Sequence, residues 1–132
     1  PSFTELGRDW NAVSRQNMLN PTDKPALSHV EKMLKDTSGP VIVATDYVRL
    51  FPEQIRPALQ NIGKRYTVLG TDGYGRSDTR EKLRHFFEVD RRWVTVAALK
   101  TLADEGQIEH KKVAEAIKKY GLDPKKPNPM SV

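Results

Sequence analysis

The sequence predicts an α/β fold, and the prediction rests on two apolar runs and on the amphipathic segments around them. The runs VIVAT (41–45) and RYTVLG (65–70) are rich in β-branched and aromatic residues, which is typical of strands buried on both faces. Segments with helical periodicity precede, separate and follow these runs. Strands that alternate with helices in this way indicate a parallel sheet with helices on both faces.

The length and composition fit one domain of this kind. The chain has 132 residues, of which 37% are hydrophobic and 30% are charged, as in globular proteins. It has no cysteine, which excludes a disulfide framework, a thiolate nucleophile and a cysteine-ligated metal site. No apolar run approaches the roughly 18–20 residues that cross a bilayer, so no membrane partner is predicted. The chain lacks an initiator Met, and we expect it to be part of a longer protein.

The first helix is predicted over residues 2–13. Ser2 and Glu5 have the spacing of a capping box, in which each side chain bonds the backbone N–H of the other residue. Residues 14–26 contain two prolines and several turn formers, and they are predicted as a loop. The apolar side chains expected on the buried face of the first helix are Phe3, Leu6, Trp10 and Val13.

A second helix is predicted over residues 28–36, directly before the first strand. Ser28 and Glu31 again have capping-box spacing. After the strand, Asp46 is expected to cap a helix that contains EQIRPAL, and Pro57 should end or bend that helix. The apolar stripe expected in the second helix consists of Val30, Met33 and Leu34.

A glycine-rich loop follows the second strand and leads into a helix predicted over residues 79–87. Asp78 is expected at its N-cap and has capping-box spacing to Glu81. Arg80 and Arg84 are expected to face solvent. The side chains expected to anchor this helix against the sheet are Leu83, Phe86 and Phe87.

Two further helices and a tail complete the chain. Asp90 is predicted to cap a helix over residues 91–105, although WVTVA alone is also compatible with a strand. Residues 110–120 are strongly amphipathic, and Gly121 suits a left-handed C-terminal cap. The tail, residues 123–132, is rich in proline and lysine and is predicted either to lie on a surface as an arm or to fray.

The loop GTDGYG (70–75) raises the question of phosphate binding, because glycine turns between a strand and a helix often bind phosphate. Its glycine spacing matches neither the Walker nor the dinucleotide fingerprint. Arg76 and Arg80 could pair with an anion, but Asp78 at the N-cap would repel it. A structural turn is therefore favoured over a phosphate site. Positive φ or close backbone approach is expected at Gly70, Gly73 and Gly75.

The sequence predicts no catalytic, cofactor-binding or metal-binding residue. The histidines are far apart and lack the spacing of a zinc motif, and no G-x-S-x-G elbow is present. Ser77 lies beside Asp78, but neighbours in sequence do not form a catalytic pair, and helix capping explains both. The three histidines are His29, His85 and His110.

Five arginines lie between residues 76 and 92, and two interpretations of them are open. The segment could be the binding stripe of a free-standing module for RNA or an acidic protein. Alternatively, the arginines pair within the chain with Glu81, Glu88 and Asp90, which the interleaved charges favour. Few aromatic residues lie among them to stack on bases, so nucleic acid is not a predicted partner. The arginines are Arg76, Arg80, Arg84, Arg91 and Arg92.

Three stretches resemble the C-terminal end of the homodimeric bacterial pyruvate dehydrogenases, which are thiamine-diphosphate-dependent decarboxylases. They are PVIVATDYVRLFPEQIRP, RYTVLGTDGYGRSDTREKLRHFFEVDRRWVTVAALKTLADEGQI and KKVAEAIKKYGLDPKKPNP. The stretches SFTELGRDW and NMLNPTDKP resemble the segment before them, so the likeness covers nearly the whole chain. The glycine loop and the helix after it are also similar to the end of transketolases.

The resemblance implies a transketolase C-terminal-domain-like fold, with three layers in the order helix, sheet, helix. We expect the sheet to be truncated at its N-terminal side in this chain. Residues 1–132 are then most of one domain, divided into an N-terminal helix and loop (1–27), a core (28–122) and a C-terminal arm (123–132).

The resemblance also implies a parent enzyme that decarboxylates pyruvate on thiamine diphosphate and acetylates a lipoyl group, in the cytoplasm. This chain is expected to be inactive alone and to serve as its structural and dimer-forming domain. Thiamine diphosphate and Mg²⁺ are expected to bind preceding residues. The expected partners are the rest of the same chain, a second subunit and the dihydrolipoyl acetyltransferase core.

Overall fold

The computed structural model describes residues 2–132 and shows a small parallel sheet with helices on both faces. Strand β1 (Val41–Ala44) pairs with β2 (Tyr66–Leu69), so that Val41 lies opposite Tyr66 and Ala44 lies opposite Leu69. The helices are α1 (Phe3–Leu19), α2 (His29–Leu34), α3 (Leu50–Glu53), α4 (Arg56–Asn61), α5 (Arg80–Phe86), α6 (Arg91–Asp104) and α7 (His110–Lys119), with a short 3-10 helix at Pro129–Ser131. The predicted α/β class is confirmed.

Alternation along the strands divides the side chains between two helical layers. Tyr66 and Val68 are buried in the main core with residues of α2 and α4, and α1 packs against the same cluster. Thr67 points to the other face, where its hydroxyl lies 3.2 Å from that of Thr101 in α6. Strand β1 is only partly buried and Ala44 is exposed, so the expectation of two fully buried strands holds better for β2.

Helix α1 is longer than predicted, because residues 14–19 continue it instead of starting the loop. The sequence between Ser14 and Asn20 contains no glycine or proline, and Pro21 is the first residue that stops a helix. The side chain of Asn17 then fixes the following turn, since it accepts from the backbone N–H of Ala26 and donates to its carbonyl, both at 2.9 Å.

Helix α2 begins with the predicted capping box. The backbone N–H and the hydroxyl of Ser28 both donate to one carboxylate oxygen of Glu31, at 2.9 and 2.8 Å. The other oxygen accepts from the Asn61 side chain in α4 at 2.6 Å, so this buried carboxylate also joins two helices. Met33 is 64% exposed and does not belong to the apolar stripe that was predicted.

The segment between the strands differs from prediction. It forms two short helices, α3 and α4, and Pro57 is the second residue of α4. Proline lacks the N–H that would bond the carbonyl of Glu53, so the helix is interrupted before Pro57, as expected. Asp46 does not cap α3, whose N-cap is Arg49. Its carboxylate instead accepts from Arg84, which is 38 residues away.

Helix α5 is capped by Thr79, and the predicted N-cap Asp78 is wrong by one residue. The Thr79 hydroxyl accepts from the backbone N–H of Lys82 at 3.3 Å, while Asp78 accepts from the backbone N–H of Thr79. The predicted anchoring of α5 on the sheet is also wrong. Its apolar side chains are only partly buried, and α6 makes the main helix contacts with both strands on that face.

Helix α6 confirms the helical interpretation of WVTVA and the predicted cap. Asp90 accepts from the backbone N–H groups of Arg92 and Trp93, at 3.0 and 3.1 Å. Helix α7 packs on α6 through its apolar stripe, and Gly121 has the left-handed φ of +66° that was predicted. Within residues 2–132, none of the helices combines the length and the apolar character that crossing a bilayer requires.

The C-terminal arm (123–132) lies on the surface and does not fray. Lys126 donates to the carbonyl of Phe86 at 2.8 Å and pairs with Glu88 at 3.2 Å, and Pro129 is buried. The arm therefore supports the end of α5 from outside.

The cap of α6 generates a pH-dependent prediction. Burial acts to raise the pKa of Asp90, but hydrogen bonds from Trp93 and Arg92 outweigh it and hold the pKa below its usual value. A lowered folded-state pKa stabilises the fold above the unfolded-state pKa of about 3.9 and loses that effect as pH falls through the folded value. Asp90→Ala should therefore lower the free energy of unfolding by about 0.5–2 kcal/mol at neutral pH. Urea unfolding at a series of pH values should show the difference shrinking below about pH 4.

Glu109→Ala is the matched control. Glu109 is the N-cap residue of α7 but makes no side-chain capping bond, so its replacement should change the free energy of unfolding by no more than about 0.5 kcal/mol. Equal losses for both variants, or a loss at Asp90 that is independent of pH, would contradict this account of the cap.

Candidate functional site: an arginine groove at the end of β1

A groove of about 610 Å³ opens beside the carboxyl end of β1. Its walls come from the end of that strand, from α5, and from the turn that leads into α6 with the first residues of that helix. Ligands of open α/β sheets bind at the carboxyl ends of the strands, which makes this groove the candidate site. We call it the arginine groove. The residues that line it are Ala44, Thr45, Asp46, Arg80, Glu81, Arg84, Val89, Asp90, Arg91 and Arg92.

Two arginines of the groove are paired within the chain. Arg84 Nη2 lies 2.9 Å from Asp46 Oδ2, and Arg92 Nη2 lies 3.0 Å from Asp90 Oδ2. The interleaved charges predicted the Asp90 pair, but the predicted pairing of an arginine with Glu88 is wrong, because Glu88 pairs with Lys126. Nothing in the local sequence indicated the pair of Asp46 with Arg84, because Asp46 follows β1 and Arg84 lies in α5, 38 residues later.

The Arg84–Asp46 pair keeps the Asp46 carboxylate ionised. The hydrogen bond from Arg84 lowers the pKa of Asp46, and the opposing effect of burial does not cancel it. The side chains are 43% and 64% exposed, so solvent screens the attraction and the pair adds little stability. Its effect is to position α5 against the end of β1.

Arg80 and Arg91 complete the charge of the groove. Within residues 2–132, neither forms an ion pair with an Asp or Glu side chain, and both are exposed. Glu81 is the lining carboxylate that is also unpaired in the described chain. The unpaired guanidinium groups of Arg80 and Arg91 could bind an acidic group. The residues that line the groove do not place a nucleophile beside a general base.

The histidines stay apart in the structure, as their sequence positions predict. His85 Nδ1 lies 3.4 Å from the Trp93 indole nitrogen, and His110 Nε2 lies 3.0 Å from an Asp104 carboxylate oxygen. In the part of the chain that the structure describes, no group of three or more candidate ligands could hold a metal ion.

The protein's own atoms closely approach two glycines of the loop, while a groove of about 480 Å³ remains open beside Gly73, Gly75 and Arg76. Gly73 has a φ of +101°, and a Cβ there would lie 2.8 Å from the carbonyl oxygen of Pro129 in the arm. A Cβ at Gly70 would clash with Arg49 Cγ. Both glycines meet the expected requirement, whereas Gly75 does not, since its φ is not left-handed and a Cβ would meet open space.

Side chains around the loop hold it in place from two sides. Arg49 Nε lies 2.6 Å from Asp72 Oδ2, which ties the loop to the start of α3. The guanidinium of Arg76 stacks over the Phe86 ring at 4.2 Å, and Lys126 lies 5.1 Å from the same ring. Arg76 thus covers α5, and it also lines the open groove beside Gly73 and Gly75.

Valine substitutions at two glycines of this loop test its structural role. Gly73→Val should lower the free energy of unfolding by about 2–4 kcal/mol, because it adds left-handed strain and a clash with the arm. Gly75→Val is the matched control and should cost no more than about 0.5 kcal/mol. Urea unfolding measures both, and similar losses at the two positions would show that the arm contact does not constrain the loop.

Comparison with known proteins agrees with this architecture. The family described as "Transketolase-like TK C-terminal domain" matches residues 1–90. The whole chain is 70% identical to the pyruvate dehydrogenase E1 component of Cupriavidus necator, and 98% of it is 60% identical to that of Pseudomonas aeruginosa. The identity to the Escherichia coli K12 protein is 48% over 97% of the chain. The chain spans 14% of the length of each of these relatives.

The sequence resemblance is therefore confirmed by a family match over more than half of the chain and by similarity along its full length. The layered helix–sheet–helix structure agrees with the same family. This chain belongs to the family of transketolase-like C-terminal domains.

Proposed function

We propose that this chain is the structural and dimer-forming C-terminal domain of a pyruvate dehydrogenase E1 subunit. The observation that carries the proposal is the 70% identity over the full chain to an E1 component of which it spans only 14%. The parent enzyme decarboxylates pyruvate on thiamine diphosphate and transfers the acetyl group to a lipoyl group. Its other partners are a second subunit and the dihydrolipoyl acetyltransferase core, and its location is the cytoplasm.

The catalytic groups and the cofactor site belong, in this proposal, to residues that precede this chain. Two features of the described residues support it. They contain no cluster of side chains suited to Mg²⁺, and atoms of Pro129 and Arg49 lie where side chains at Gly73 and Gly70 would otherwise project. We therefore do not expect these residues to hold thiamine diphosphate. The remaining strands of the sheet are also proposed to come from preceding residues.

The parent activity is tested on the full-length protein that contains this chain. With thiamine diphosphate and Mg²⁺ it should decarboxylate pyruvate and behave as a dimer in analytical ultracentrifugation. A version that lacks the 132 residues should lose the dimer. A full-length protein that does not decarboxylate pyruvate, or a truncated one that still dimerises, would overturn the respective part of the proposal.

The absence of a cofactor site in this chain has its own test. Calorimetric titration of the 132-residue chain with thiamine diphosphate and Mg²⁺, and then with ATP and NAD, should show no saturable binding. Arg76→Ala should leave the titrations unchanged, because Arg76 stacks on Phe86. Micromolar binding that Arg76→Ala abolishes would establish a phosphate site in the glycine loop.

A further inference from the structure

A second groove, apolar and separate from the arginine groove, lies between the start of α1 and the segment that leads into α3. Its volume is about 530 Å³. Tyr47 is 63% exposed and Phe51 is 39% exposed, and Leu50 beside them is 72% exposed. Contiguous exposed apolar side chains mark interaction surfaces in soluble proteins. The residues that line this apolar groove are Ser2, Phe3, Thr4, Leu6, Tyr47 and Phe51.

The walls of the apolar groove are fixed before any partner binds. The backbone N–H of Tyr47 donates to the Thr45 hydroxyl at 3.1 Å, and its carbonyl accepts from the N–H of Thr71 at 2.9 Å. The rings of Tyr47 and Phe51 contact each other, with 5.2 Å between their centroids. A site of this kind binds without the entropic cost of ordering a loop.

Helix α1 forms the opposite wall and is held closely against α3. A Cβ at Gly7 would lie only 3.2 Å from Gln54 Cβ, and the Gln54 amide lies 3.4 Å from the Thr4 hydroxyl. Phe3 and Leu6 reach from the groove to the main core. Because no charged side chain lines the groove, it suits an apolar segment and not an acidic or basic one.

The position of the groove points to one occupant. The relatives extend far beyond the 14% that this chain spans, and the matched family is a C-terminal domain, so their additional length precedes it. The polypeptide that enters α1 passes Ser2 and Phe3, which are part of the groove wall. A segment joined to that wall has a high effective concentration at the groove. The six residues that line the groove are also far fewer than the roughly 20–30 residues per subunit that a stable interface between subunits involves.

We propose that an apolar segment of the same polypeptide, preceding α1, packs into this groove against Tyr47 and Phe51. The proposal rests on the proposed function, in which this chain is one domain of a longer enzyme. It adds the surface through which the domain is fixed to the residues before it.

Hydroxyl-radical footprinting of the full-length, unsubstituted enzyme tests the proposal, with mass spectrometry to locate oxidised side chains. Tyr66 and Tyr74 serve as internal references, because they have the same side chain as Tyr47 and bracket its exposure: Tyr66 is 6%, Tyr47 is 63% and Tyr74 is 80% exposed in the isolated fold. The urea-unfolded enzyme gives the rate at full exposure. If the groove is filled, Tyr47 should react at least about five-fold more slowly than in the unfolded enzyme, near the rate of Tyr66.

Measurements at two protein concentrations, one that favours monomers and one that favours dimers, identify the occupant. Protection of Tyr47 in both states supports the same polypeptide. Protection only in the dimer would assign the groove to the second subunit, and a Tyr47 rate near that of the unfolded enzyme would show an open groove, so either result overturns the proposal. Pyruvate decarboxylation by the same sample separates this from the proposed function, since an active enzyme with an open groove contradicts only the inference drawn from the groove.

Discussion

The pairing of two four-residue parallel strands is the constraint on which the rest of the structure depends. Parallel strands require a crossover connection, and α3 and α4 supply it between β1 and β2. Such a short ladder contributes few hydrogen bonds, so helices on both faces must stabilise it. Tyr66 and Val68 anchor one face in the main core, and the contact between Thr67 and Thr101 fixes α6 on the other.

The carboxyl end of the sheet is then closed by contacts between segments that are distant in sequence. Arg84 joins α5 to the exit of β1, and Arg49 joins the glycine loop to α3. The arm completes the closure, because Pro129 packs against Gly73 and Lys126 binds the end of α5. The two features that first suggested ligand binding, the glycines and the arginines, are thus largely occupied by the chain itself.

The sequence predicted correctly those features that depend on interactions between residues close together in the chain. The Ser28–Glu31 capping box, the Asp90 cap and the glycine after α7 were all predicted from spacing within a few residues. Predictions failed where a distant partner decides the outcome. Nothing near Asp46 in sequence indicates that Arg84 binds it, and the packing of α6 on the sheet leaves Phe86 half-buried between Arg76 and Lys126. The arginine groove could not be predicted, because the residues that line it lie in three separate segments.

We propose that this domain provides scaffold and no reacting group, and the two unpaired arginines of the arginine groove, Arg80 and Arg91, allow the most direct test. The measurement is kcat for pyruvate decarboxylation by the full-length enzyme with Arg80→Gln and Arg91→Gln combined. The dimer and thiamine diphosphate binding are checked in the same preparation. If neither arginine takes part in the reaction, as proposed, kcat should stay within about two-fold of the unsubstituted enzyme. A loss of about 100-fold or more in an intact, cofactor-loaded dimer would place a catalytic group in this domain and contradict the account.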